Sequence, residues 1–244
     1  MFSEVRQAIL PMALRQRKRR GDLERAGLLI ESLSKHWRDA RPFQLLIVSP
    51  ANDLSELREG LPRFPNIDVS VRAEQDFFPA YSPFYLYPGW YRQQVVKLRV
   101  PALLNFGGFL TLDSDVCCVG DFDASTFVQD GRALSRWEPK RHHGWWEQVA
   151  RTLRMPYDEG AHGLSVTPNI LHSDLASQAL EHLRVGPIDP LWVLGWQMVR
   201  RFGRIVWTEY SLYTGVAEIA GNLFDYHVHW DPCYFQDTQL FSEH

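Results

Sequence analysis

Gly108-Phe-Leu-Thr-Leu-Asp113-Ser-Asp115-Val-Cys-Cys-Val119 is the stretch on which the fold turns. An apolar, β-branched run stops at two acids spaced i, i+2, and a second apolar run follows. A short apolar run of this kind is expected to be a buried parallel strand. The acids then lie at its carboxyl end, where open α/β sheets place their ligand crevices. Residues i and i+2 of a strand point the same way, so both carboxylates are expected to face one hard cation. Mg²⁺ or Mn²⁺ needs only one or two carboxylates when phosphate oxygens and water complete its shell.

Outward from this stretch the chain alternates strand and helix. A strand is expected from Val5 to Leu14, then a basic loop over Arg15-Gln-Arg-Lys-Arg-Arg-Gly21. Asp22 caps a helix running to Trp37, with Leu23, Ala26, Leu29, Ile30 and Leu33 at helical spacing. Phe43–Val48 and Ile67–Val71 read as strands flanking a brief helix at Leu54–Glu59. Phe77–Gly89, rich in proline and aromatics, is a loop, and Trp90–Asn105 a helix. Beyond Asp121 helices are expected at Trp145–Arg154, Asp174–Leu183 and Leu191–Phe202. Short strands are expected at Leu164–Thr167 and Ile205–Trp207. The alternation predicts an α/β fold, a mixed and mostly parallel central sheet flanked by helices. At 244 residues one domain spanning 1–244 is expected, divided near residue 119 into a nucleotide-binding and an acceptor half.

Composition narrows the function. A net charge of −3 with 23% charged residues gives no basic footprint for nucleic acid. Three cysteines, two of them adjacent, form no disulfide framework, and all three read as buried thiols. A cytoplasmic location follows as an expectation. No segment reads as membrane-spanning, and the apolar patch Ala8–Leu14 precedes the basic cluster, the reverse of signal-peptide order. Peripheral contact between the basic loop and an anionic surface stays open. G-x-x-x-x-G-K-[ST] and G-x-G-x-x-G are both absent.

Three segments together carry a resemblance. Gly89-Trp-Tyr-Arg-Gln-Gln-Val-Val-Lys97-Leu98, Leu112-Asp-Ser-Asp115 and Glu209-Tyr-Ser-Leu-Tyr213 resemble GT-A-fold glycosyltransferases, chiefly bacterial members and more faintly the glycogenin-like branch. The resemblance implies a GT-A-like domain that moves a sugar from a nucleotide-sugar donor to a saccharide or other hydroxyl acceptor. It implies Mn²⁺ (or Mg²⁺) held by Asp115 and by Asp113, the latter alternatively binding the donor ribose. Lys97 would lie near the donor sugar or phosphate, with Arg92 and Gln94 on the same helix. Glu209 would serve as general base or bind the acceptor. In His227-Val-His229, His229 is favoured over His227 as a further metal ligand. The small-residue segment Glu159–Thr167 would cradle the sugar, with His162 facing the acceptor.

His142-His143 and Trp145-Trp146 read as an aromatic loop, and Trp137, Trp192 and Trp196 as surfaces for sugar rings or as core. Two alternatives stand beside the transferase. Asp113-Ser-Asp115-Val also fits an aspartyl-nucleophile, Mg²⁺-dependent phosphatase with Asp113 as nucleophile. That chemistry needs a downstream lysine and a late acidic pair, and only Lys140 lies downstream. The other alternative is a non-catalytic carbohydrate- or nucleotide-binding module.

Overall fold

A computed structural model describes residues 2–14, 19–164, 167–200, 206–229 and 241–243. Its strands are β1 (Gln7–Pro11), β2 (Phe43–Ser49), β3 (Ile67–Ala73), β4 (Gly108–Thr111), β5 (Val116–Cys118), β6 (Val128–Gln129), β7 (Arg132–Ala133), β8 (Trp137–Pro139), β9 (His162–Leu164), β10 (Asn169–His172) and β11 (Phe241–Glu243). Its helices are α1 (Arg19–His36), α2 (Leu54–Gly60), α3 (Gly89–Leu104), α4 (Trp145–Leu153), α5 (Ser173–His182), α6 (Pro190–Arg200), α7 (Glu209–Ala220) and α8 (Leu223–Tyr226).

The central sheet runs β10-β4-β1-β2-β3. β1, β2, β3 and β4 are parallel, and β10 joins the end antiparallel to β4, Asn169 opposite Thr111. The pleat distributes the apolar side chains to both faces. Ile9, Leu46, Val48, Phe109 and Leu171 pack beneath α3, α5 and α7. Ala8, Leu10, Leu45, Ile47, Leu110 and Ile170 pack against α1 and α2 on the other face. Burial on both faces explains why these strands read as continuous apolar runs rather than alternating ones.

Several boundaries differ from expectation. β1 is shorter than Val5–Leu14 and ends at Pro11, which has no N–H to continue the ladder. Asp22 is not a helix cap. α1 begins at Arg19, and the Asp22 carboxylate is buried in its first turns against Arg25. The helix expected at Trp145–Arg154 is α4, so Trp145 and Trp146 are helical and the aromatic-loop reading fails for them; Trp146 is buried. Of the strand expected at Leu164–Thr167, Leu164 ends β9, which pairs with β8, Thr167 is not strand, and Ser165 and Val166 lie outside the described residues. Val206 and Trp207 are buried but not strand; Ile205 lies outside the described residues, as do Cys233 and Arg15 to Lys18. Cys118 is buried, its thiol pushed up to about 12 chiefly by desolvation, whereas Cys117 is only half-buried. No helix among the described residues is long and apolar enough to cross a membrane.

One buried polar chain ties the layers together. His227 is fully buried, its Nε2 2.8 Å from Tyr213 Oη and its Nδ1 2.7 Å from Ser135 Oγ. Tyr213 Oη accepts the His172 N–H, and Ser135 Oγ donates to the Ile170 carbonyl. This chain is satisfied by a neutral imidazole that accepts at Nε2 and donates at Nδ1. Burial accordingly holds the His227 pKa down at about 3, with neighbouring His172 adding to the effect. His227 is therefore a core residue and not a candidate metal ligand.

A folded-state value depressed below 6.5 gives stability that is complete above pH 6.5 and lost as pH falls towards 3. Wild type is expected to lose about 2 kcal/mol between pH 7 and pH 5 from this residue. His227→Gln, already destabilised at pH 7, should show a flatter acid limb in urea titrations. Parallel acid limbs for the two proteins would remove His227 as the cause.

Candidate active site

The parallel strands all end on one edge of the sheet, and a cleft of about 670 Å³ opens there. Pro11, Val48, Glu74 and Asp113, each at or just beyond the end of a different strand, line it. This is the crevice that open α/β sheets offer at their carboxyl ends. α1 contributes Asp22 and Arg25 to the wall, and α3 contributes Arg92, Gln93 and Gln94. A second cavity of about 270 Å³ adjoins it and shares Trp90, Gln94, Asp113 and Asp115.

The acids do not sit on a strand. β4 ends at Thr111, and Asp113 to Asp115 form a turn closed by the Val116 N–H on the Asp113 carbonyl at 3.3 Å. Strand alternation therefore cannot be what brings the two residues to the cavities; the turn places them there. Asp113 is half-buried, Asp115 is exposed, and both line both cavities.

Behind the turn lies a charged cluster. Lys97 sits mid-way along α3 among buried Val95, Val96, Leu98 and Val100, and is 1% exposed. Its ammonium donates to Asp113 Oδ1 at 2.9 Å, Glu209 Oε1 at 3.0 Å and Thr167 Oγ1 at 2.8 Å. Burial alone would lower its pKa, but the Asp113 and Glu209 carboxylates outweigh that, and Lys97 stays protonated. Glu209 is buried as well, and desolvation raises its pKa above the ordinary carboxylate value. Lys97 opposes this rise and Asp113 adds to it.

Local sequence fixes Glu209 in place. Thr208 caps α7, accepting the Ser211 N–H at 3.0 Å, while Ser211 Oγ accepts the Thr208 N–H at 2.8 Å. This reciprocal box sets Glu209 as the first helical residue. Gln94 Oε1 accepts the Glu209 N–H at 3.2 Å, so α3 and α7 are joined at the site. Tyr210 Oη bridges Thr111 and Thr167, linking the end of β4 to the same cluster.

The structure thus brings Asp113, Asp115, Lys97, Gln94 and Glu209 together. Arg92 lines the larger cleft with its guanidinium on Glu74 and over the Phe84 ring. His162 and His229 line neither cavity. His162 lies on β9, within electrostatic reach of Arg141, His142 and His229, and burial is the main cause of its lowered pKa. The His229 ring packs on Phe224 at 4.8 Å. Neither histidine therefore joins the acid pair. Gly163 is small for a reason other than cradling a sugar: an added Cβ would meet the Trp146 indole at 2.2 Å.

Among the described residues no three His, Cys, Asp or Glu side chains converge as a metal site. The donor set of Asp113 and Asp115 nevertheless fits Mg²⁺ or Mn²⁺. Both are hard oxygen ligands open to a cleft, and such ions fill the rest of their shell with water and phosphate. Sequence reading missed Asp22, Arg25, Glu74 and Glu138. Each lies on an element remote in sequence from the acid pair, with no motif around it.

The sequence matches a family model over residues 3–243. The chain belongs to DUF6492, a family of unknown function. No curated protein matches the sequence. Among solved structures, the mannosyltransferase Ktr4p of S. cerevisiae is similar, with a TM-score of 0.52 and 12% identity, over 87% of this chain and 65% of that one. Mouse xyloside xylosyltransferase 1 aligns with a TM-score of 0.47 and 16% identity, over 90% of this chain and 83% of that one. The WbbM bifunctional glycosyltransferase aligns with a TM-score of 0.46 and 10% identity, over 75% of this chain and 35% of that one. At such identities the likeness is one of fold. This DUF6492 member has the mixed α/β, GT-A-like fold, its largely parallel sheet flanked by helices.

Proposed function

We propose that this DUF6492 chain is a metal-dependent glycosyltransferase that moves a sugar from a nucleoside-diphosphate donor to a hydroxyl acceptor. The observation that carries this reading is the position of the Asp113–Asp115 turn between two adjoining cavities. The larger, about 670 Å³, suits a nucleotide sugar, and the smaller, about 270 Å³, suits the reacting end of an acceptor. The fold likeness to a mannosyltransferase supports it.

In this reading Asp115, with Asp113, would hold Mn²⁺ or Mg²⁺, which would supply Lewis-acid neutralisation of charge on the departing diphosphate. Asp113 binds the ion or the donor ribose. Glu209, raised in basicity by its burial, accepts the proton of the attacking hydroxyl. Lys97 keeps Asp113 and Glu209 at fixed separation, and Gln94 fixes the backbone from which Glu209 projects.

Calorimetric titration with UDP and GDP, with and without Mn²⁺, tests the assignment. Wild type is expected to bind one of them at least tenfold more tightly when Mn²⁺ is present, and Asp115→Ala should lose that gain. Unchanged, metal-dependent affinity in Asp115→Ala would show the ion to be held elsewhere.

A further inference from the structure

Asp113 and Asp115 line both cavities, and the two differ in the other charged groups they present. In the larger, buried Asp22 and Glu74 each meet a guanidinium, Arg25 and Arg92. The smaller presents Asp113, Asp115, Glu138 and Glu209, and among the described residues that line it the only Lys or Arg is Lys97. Lys97 is already committed to Asp113 and Glu209. If the ion and donor engage Asp113 and Asp115, and Glu209 takes the proton, Glu138 is the fourth carboxylate lining the smaller cavity.

Glu138 is held rigidly. It lies on β8 opposite Gly163 of β9, and the bare Gly163 lets the Trp146 indole pack across the ribbon. Trp146 Nε1 donates to Glu138 Oε1 at 2.9 Å, and His143 Nε2 lies 3.5 Å from Oε2. The His143 ring stacks on Trp145 at 3.9 Å, and Trp145 and Trp90 supply aromatic walls to the same cavity. Aromatic faces with a fixed carboxylate suit the apolar face and the hydroxyls of a sugar ring. A carboxylate accepts hydrogen bonds from hydroxyls strongly. It repels a second anion, and the repulsion is large where water is excluded.

We propose that Glu138 sets acceptor specificity: it admits an uncharged polyhydroxyl acceptor and excludes acceptors that carry a carboxylate or phosphate at that end. This inference rests on the transferase reading and adds the acceptor's chemical class to it.

The experiment uses matched aryl glycosides and aryl uronides of the same ring configuration, with nucleotide sugars of the base selected by calorimetry. Wild type is expected to favour the neutral member by on the order of 100-fold in kcat/KM. Glu138→Gln, which retains the acceptor for Trp146 Nε1–H, should narrow that ratio to about tenfold with donor KM unchanged. His143→Lys, which places a permanent cation beside Glu138, should narrow it in the same direction and guards against misfolding of the first variant. Equal use of uronides by wild type, or an unchanged ratio in both variants, would overturn the inference. So would failure to transfer to any neutral glycoside. Only the further loss of Mn²⁺-dependent nucleotide binding would take the transferase reading with it.

Discussion

Lys97→Met is expected to destabilise the protein by about 3–5 kcal/mol, the cost of leaving a buried charge without its partner. For a chain of this length that is a fall in Tm of roughly 10 °C. Methionine replaces the aliphatic stem well, so little of the loss comes from packing. The loss arises at Glu209, which is 2% exposed and would keep its burial and its Asp113 neighbour while losing Lys97. Glu209 then protonates more readily, and a folded-state pKa raised above the unfolded one gives stability present at low pH and lost as pH rises through it. The stability difference between the variant and wild type should therefore narrow between pH 7 and pH 5. The double variant Lys97→Met with Glu209→Gln should be more stable than the sum of its parts. Urea titrations at the two pH values read all three outcomes. A loss under 1 kcal/mol, or strict additivity, would mean that the cluster is not the coupled unit described.

Glu209→Gln should lower kcat by about 10²–10⁴-fold, the range for losing a general base. Nucleotide affinity should stay near wild type, because Asp113 and Asp115 are untouched. The amide preserves the side-chain shape, the helix cap and an acceptor for Lys97. The wild-type rate should rise with pH through the raised Glu209 pKa, and this limb should vanish in the variant. Full turnover by Glu209→Gln on an accepted substrate would remove the proton-accepting role.

Much of the frame was legible before any coordinates. β2, β4, α2, α4 and α5 lie within a few residues of their expected bounds, because runs such as Phe43–Val48 and Phe109–Leu112 are buried on both faces and allow few other readings. β10 escaped notice. Asn169-Ile-Leu-His172 is only four residues long, and its strand character comes from lying along β4. Part of the site was legible for a partly wrong reason. The acids line one cleft because of a turn, not because of strand alternation. The burial of Lys97 did have a signal. Val95, Val96, Leu98 and Val100 flank it on α3, although Gln93, Gln94 and Arg99 interrupt the apolar pattern. Glu138 had none, since its surroundings depend on Trp146 from α4 and Gly163 from β9 meeting it.

The strand order also bears on how the chain comes off the ribosome. β1 is made first yet sits in the middle of the sheet. β2 covers one of its edges early, but the other edge waits for Gly108–Thr111, about a hundred residues later. At translation speeds of 5–20 residues per second, that backbone edge stays bare for roughly 5–20 s. An apolar strand with an open ladder is a template for pairing between nascent chains. Expression at high polysome density should therefore favour aggregation, and slower initiation or added chaperone should relieve it.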